Sequence, residues 1–151
     1  SLDSVYYIFI FSALLVIAVY DAKHLIIPDK IVYPAIIAVF IYNAFNGKFM
    51  APLIVATIAF LFFFFIYFFS KGNAMGLGDA KLGFLTGLFL SPLYSAIAFT
   101  LSFIIGAAFG IILIMSQKKS WKSQIAFGPF LVLGAFLASF FSDFIAKLIN
   151  F

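Results

Sequence analysis

Met50-Ala-Pro-Leu-Ile-Val-Ala-Thr-Ile-Ala-Phe-Leu-Phe-Phe-Phe-Phe-Ile-Tyr-Phe-Phe69 runs for twenty residues without a charge. At about 1.5 Å per residue a helix of this length spans about 30 Å, the thickness of a bilayer's hydrocarbon core. A helix also satisfies its own backbone polar groups where no water can. The run is therefore read as a transmembrane helix, and the composition extends that reading to the whole chain. Of 151 residues, 66% are hydrophobic and only 9% are charged, whereas soluble domains carry about 25% charged residues. One globule of this size cannot bury so large an apolar fraction. The expected architecture is an all-α polytopic membrane protein, a single membrane-embedded domain over residues 1–151 with the lipid bilayer as its solvent.

The same composition removes several chemistries. There is no cysteine, hence no disulfide, thiolate nucleophile or cysteine-held metal. The one histidine, His24, supports neither a histidine metal site nor a Ser-His-Asp triad and is read as an interfacial polar residue. The net charge of +4 comes from nine lysines and no arginine. It is read as membrane topology rather than as a nucleic-acid surface. The chain opens Ser1-Leu2-Asp3, without Met, which suggests a processed or truncated form. Its first apolar stretch lacks a basic leader region and a small-residue cleavage site, so it reads as a membrane helix and not a signal peptide.

Polar breaks divide the chain into six apolar stretches: Val5–Tyr20, Ile31–Phe45, Met50–Phe69, Lys81–Leu90, Leu93–Met115 and Ile125–Ile149, the last interrupted by Gly128-Pro129. The fourth is short for a span. If all six cross, Lys23, Lys30, Lys71, Lys81, Lys118, Lys119 and Lys122 share one side against Lys48 and Lys147 on the other. That bias places the lysine-rich side in the cytoplasm and both termini outside. Asp21, Asp29 and Asp79 then share the cytoplasmic side. Lys118, Lys119 and Lys122 with Trp121 read as an interfacial anchor loop, Gly106 and Gly110 as a helix-packing pair, and the run Phe62–Phe65 as lipid-facing bulk.

Five acidic residues, all Asp, serve the whole chain. A carboxylate at the edge of hydrocarbon is costly and asks for a function. Two carboxylates brought together hold one proton between them. The ionised member then activates a water while the protonated one polarises a carbonyl. Asp21 and Asp79 are the candidates; the competing reading is that each caps or snorkels at a helix end, with Asp79 as an N-cap. Gly76 and Gly78, flanking Leu77, admit close approach of a substrate backbone, or form an ordinary flexible loop. Asp29 reads as an N-cap after Pro28; the other reading is a third catalytic carboxylate, or a metal ligand beside Asp21 and Asp79 of the oxygen type that suits Mg²⁺. Lys81 reads as a lipid-snorkelling cation.

Three segments carry a resemblance. Asp21-Ala-Lys-His-Leu-Ile-Ile-Pro28-Asp29, then Gly76-Leu77-Gly78-Asp79-Ala80-Lys81-Leu82, then Phe127-Gly128-Pro129-Phe130-Leu131 resemble, in order, the motifs of the type IV prepilin peptidases, a family of membrane aspartic proteases. The resemblance implies Asp21 and Asp79 as the catalytic pair, with Pro28, Asp29, Gly76, Gly78, Lys81, Gly128 and Pro129 as motif or substrate-contacting positions. It implies no cofactor and no metal. Its substrates would be prepilins or pseudopilins, cut after a glycine at the cytoplasmic face just ahead of the hydrophobic helix. Many bacterial members add an N-terminal part with cysteine zinc ligands that methylates the new N-terminus. This cysteine-free chain starts at the peptidase region, so methyl transfer is not expected of it. Tyr20-Asp21 with Gly-x-Gly-Asp also resembles presenilin and signal peptide peptidase, whose Pro-Ala-Leu ending is absent here. A small proton-coupled carrier is the non-enzyme alternative; it predicts mid-membrane carboxylates and an internal repeat.

Overall fold

The computed structural model describes residues 1–119 and 124–150. Among these residues there are seven helices and no strand: α1 Leu2–His24, α2 Asp29–Phe45, α3 Met50–Ser70, α4 Leu77–Phe89, α5 Pro92–Met115, α6 Gly128–Phe140 and α7 Ser142–Ile149. The all-helical expectation is met. Three helices, α1, α3 and α5, are long and apolar enough to cross a bilayer, and the bent pair α6–α7 makes up to four. Six full-length spans are not what the helix lengths give, because α2 has 17 residues and α4 and α6 have 13 each.

The boundaries move in ways that matter for the acids. Helix α1 runs three residues beyond Asp21 to His24, so Asp21 lies inside the helix and not in the break after it. Helix α4 begins at Leu77, four residues before the expected start, and includes Asp79 in its first turn. The last stretch begins as a helix only at Gly128, with Pro129 in the first turn where a missing N–H costs nothing. It then bends by 65° between α6 and α7. Trp121 and Lys122 of the expected anchor loop lie outside the described residues.

Helix α4 is the axis of the bundle. It packs against α2, α3, α5 and α6 and buries Ala80, Leu82, Leu85, Leu88 and even Thr86. A helix enclosed by protein need not span the lipid on its own, which is how α4 can be short. The close approach of α3 depends on Gly83 and Gly87. A Cβ at Gly83 would overlap the Phe63 ring, and one at Gly87 would stand 3.0 Å from the Ala56 Cα. Phe63 is fully buried, which corrects its reading as lipid-facing bulk, although Phe62 and Phe65 remain half exposed. Gly106 and Gly110 do not make the tight contact expected of them: their nearest neighbours, Phe130 and Ile125, stand at ordinary van der Waals distances of 3.4 and 3.6 Å.

These contacts also fix depth. Gly87 lies level with Ala56 on the antiparallel α3, so Asp79 comes level with Phe64. Helix α3 continues to Ser70, about 9 Å beyond that level. Gly134 packs on Ala98 and Ser102, which puts Gly128 near Gly106, and α5 continues to Met115, about 13 Å farther. Helices α4 and α6 therefore stop short, and a recess opens above them.

Filling the Gly83 site should unlock α3 from α4. Gly83→Leu is expected to lower stability by about 1–3 kcal/mol through overpacking, whereas Gly110→Ala should stay within about 0.5 kcal/mol. Unfolding midpoints in detergent would measure both, and equal midpoints for the two variants would refute the Gly83 contact.

Candidate active site

Asp21 and Asp79 are brought together at the floor of that recess. Both border a cleft of about 310 Å³ that also touches Asn73, Met75, Gln124 and Phe127. Both border a second cleft of about 280 Å³ that runs toward Ile27, Asp29 and Lys81. Leu25 and Gly76 line both as well, so the two hollows are arms of one groove meeting at the carboxylates. A larger hollow of about 640 Å³ lies at the opposite end among Tyr6, Tyr42 and Lys48, and no acidic side chain lines it.

Each carboxylate is buried, with 4% of Asp21 and 9% of Asp79 exposed, and each is held by one backbone N–H. The Gly128 N–H donates to Asp21 Oδ2 at 2.9 Å, and the Gly76 N–H donates to Asp79 Oδ2 at 3.1 Å. Asp79 is therefore not the N-cap of α4. Gly76 occupies that position in extended conformation, and Asp79, in the first turn, reaches back to it. Asp21 lies at the start of α6, where Gly128 is the first helical residue. Both carboxylates thus sit at helix N-termini, where unpaired N–H groups and the helix dipole favour an anion. This local solvation is what lets two carboxylates persist inside a membrane bundle. Their other oxygens carry no hydrogen bond among the described residues and are free for a water or a peptide carbonyl.

The glycines have steric reasons beyond turn formation. A Cβ at Gly128 would overlap the Asp21 carboxylate, so that N–H reaches Asp21 only from a residue without a side chain. A Cβ at Gly78 would stand 2.9 Å from the Ile27 Cβ; glycine there lets the start of α4 pack on the α1–α2 connection. Pro28 caps α2 in extended conformation, and its carbonyl accepts from Ile31 and Val32.

Asp29 is the first residue of α2 rather than its N-cap, and its carboxylate accepts from Lys81 Nζ at 2.8 Å. Lys81 also stands 5.1 Å from the centre of the Tyr33 ring. It is a tether between α2 and α4, not a lipid-snorkelling side chain. Among the described residues no three His, Cys, Asp or Glu side chains gather in a metal-binding group. His24 is exposed and packs on the Tyr20 ring.

Sequence reasoning missed Leu25, Asn73 and Gln124 as lining residues. Nothing in their types or spacing marks them. Leu25 stands out only in the fold, in the left-handed region with φ 55°, which costs a side chain about 1–2 kcal/mol. Gly83 and Gly87 were also missed, although their Gly-x-x-x-Gly spacing was readable.

A sequence model of the type IV leader peptidase family matches residues 8–111. Curated relatives are proteins named prepilin leader peptidase/N-methyltransferase. That of Stutzerimonas stutzeri is 29% identical over 86% of this chain and 47% of its own length. That of Bacillus subtilis is 29% identical over 87% and 54%, and that of Legionella pneumophila 30% identical over 82% and 45%. The chain spans about half the length of these relatives. No solved structure matches.

Gly128→Ala should displace the Asp21 carboxylate and lower stability by about 1–3 kcal/mol. Lys81→Met, which removes a partly solvated ion pair, should change it by less than about 1 kcal/mol. Thermal unfolding of the two variants side by side measures the difference, and a larger loss for Lys81→Met would reverse the ranking.

Proposed function

The chain belongs to the type IV leader peptidase family, and we propose that it is a membrane aspartic endopeptidase cutting the leader from prepilins or pseudopilins. The observation that carries this reading is the pair Asp21 and Asp79, buried on one groove and each held by a single backbone N–H. A groove with two arms suits an extended peptide passing over the pair, with the scissile bond between them.

The chemistry follows from two carboxylates sharing one proton. The ionised carboxylate takes a proton from a water held between the pair as the water oxygen attacks the peptide carbonyl carbon. The protonated carboxylate hydrogen-bonds the carbonyl oxygen and gives up its proton as the tetrahedral intermediate forms. The intermediate collapses with cleavage of the C–N bond, and a carboxyl proton passes to the leaving amine. One hydroxyl of the intermediate returns its proton to the ionised carboxylate as the new carbonyl forms. The products are a carboxylic acid and an amine, which become carboxylate and ammonium by proton exchange, and one proton again remains on the pair. The Gly128 and Gly76 N–H groups hold Oδ2 of each acid in place, which aims the opposite oxygens at the reacting atoms. Lys81 and Asp29 act one step away by fixing the starts of α4 and α2 to each other.

The proposed setting is the cytoplasmic membrane, with the groove facing the cytoplasm and both termini outside. Lys23, Lys30, Lys71 and Lys81 near the groove end support that orientation. The family name supports prepilin-type substrates, and the methyl transfer in the relatives' names is not assigned to any residue of this chain.

Asp21→Asn and Asp79→Asn should each abolish cleavage of a prepilin, by about 10³-fold or more. The double variant should be no worse than either single one, because the two acids act as a unit. Cleavage should follow a bell-shaped pH profile, one limb for each proton of the pair, and should survive chelators. Retained cleavage in either Asn variant would sink the dyad. Orientation has its own test, because the chain is free of cysteine. A single cysteine replacing Lys71 should be labelled from the cytoplasm and one replacing Lys48 from outside; the reverse pattern overturns the topology.

A further inference from the structure

A second hollow lies outside the carboxylate groove. Helices α3 and α5 leave between them an apolar groove of about 450 Å³ that opens sideways from the bundle. Its lining recurs at helical spacing: Val55, Ala59 and Phe62 on α3, and Ser95, Phe99 and Phe103 on α5. The floor is small and closed, with Ala59 and Ser95 buried. The rim is large, with Ile58 and Phe62 exposed. The lining extends from Val55 to Phe62 on α3 and from Pro92 to Phe103 on α5, so the groove is roughly 11 Å long on one wall and roughly 17 Å on the other. A narrow floor of small residues between bulky walls is the shape that admits another helix at close distance.

The groove is also joined to the site. At one end Phe103 packs on Phe62 and on Phe127, with ring centres 6.0 and 5.0 Å apart. Phe127 in turn lines the arm of the cleft that ends at Asp21 and Asp79. A chain lying in the groove as a helix, and unwinding at its upper end, would pass Phe127 and enter that arm in extended form.

We propose that the α3–α5 groove seats an apolar helix of the same polypeptide whose backbone crosses the Asp21–Asp79 cleft. This rests on the proteolytic reading above and adds where the membrane-embedded part of the substrate is held. The groove then sets the register: a helix docked against Ala59 and Ser95 delivers to the carboxylates the residues just beyond its end. Substrates lacking such a helix reach the same carboxylates without that help.

The test compares a membrane-embedded prepilin-type substrate with a short soluble peptide spanning the same bond. Ala96 and Thr100 are exposed on the groove's α5 wall, so Ala96→Trp and Thr100→Trp fill it without disturbing the core. The expected result is a KM for the membrane substrate raised about tenfold, equivalent to about 1.4 kcal/mol. Both kcat and KM for the soluble peptide should stay within about twofold. Equal changes for the two substrates, or no change for either, would overturn the proposal. A photo-crosslinker at Thr100 should capture the substrate's apolar segment; capture of lipid or of a second copy of this chain instead would also overturn it. Because crosslinking needs no turnover, it can be read in the Asp79→Asn variant. If that variant still cleaves, the proteolytic reading fails while the groove is judged on the crosslink alone.

Discussion

One hydrogen bond, from the Gly128 N–H to Asp21 at 2.9 Å, is the constraint around which the rest is arranged. An ionisable group inside a membrane bundle needs a replacement for the water it has lost. Here the replacement is the first turn of a helix, and α6 must therefore begin at the depth of Asp21. Helix α4 meets the same requirement by beginning just before Asp79. Two helices that begin so deep cannot extend to the level reached by α3 and α5. The recess, its two arms and the burial of the acids follow from that shared requirement.

Enclosure of α4 is the second half of the arrangement. With Gly83 and Gly87 admitting α3, and with Leu82, Leu85 and Leu88 buried, the short helix is solvated by protein. It tolerates Asp79 and Thr86 because neither faces lipid; the Thr86 hydroxyl donates to the Leu82 carbonyl at 2.9 Å. Packing Phe63 against Gly83 is a van der Waals contact, since lipid is as apolar as the protein interior, and it fixes the height of Asp79 relative to α3. The packing pair and the carboxylate are thus one device, separated by a single turn of helix.

What the sequence reveals and what it hides divide along physical lines. The membrane class is legible because hydrophobicity is additive along a chain, and Met50–Phe69 carries it alone. The placement of Asp21, Asp29 and Asp79 at one end is legible because a helix that crosses must reverse sides. Depth is not legible. Whether Phe63 faces lipid or protein depends on the partner helix, and the same Phe serves either. The partner of Lys81 was hidden for a similar reason, since Asp29 lies 52 residues away and the pair forms only when α2 and α4 meet. The role of Gly128 was visible as a motif, but its cause, the space needed by a distant carboxylate, is a property of the folded chain.

The Asp21–Gly128 bond spans 107 residues, and this has a consequence for biosynthesis. A chain emerging from the ribosome inserts α1 well before α6. Until α6 arrives, Asp21 lacks its N–H partner and the arm of the groove bordered by residues 124–127 has no wall. The setting of Asp21 is therefore completed only when α6 has packed beside α1, and the carboxylate and its N–H partner are joined by tertiary folding rather than by local structure.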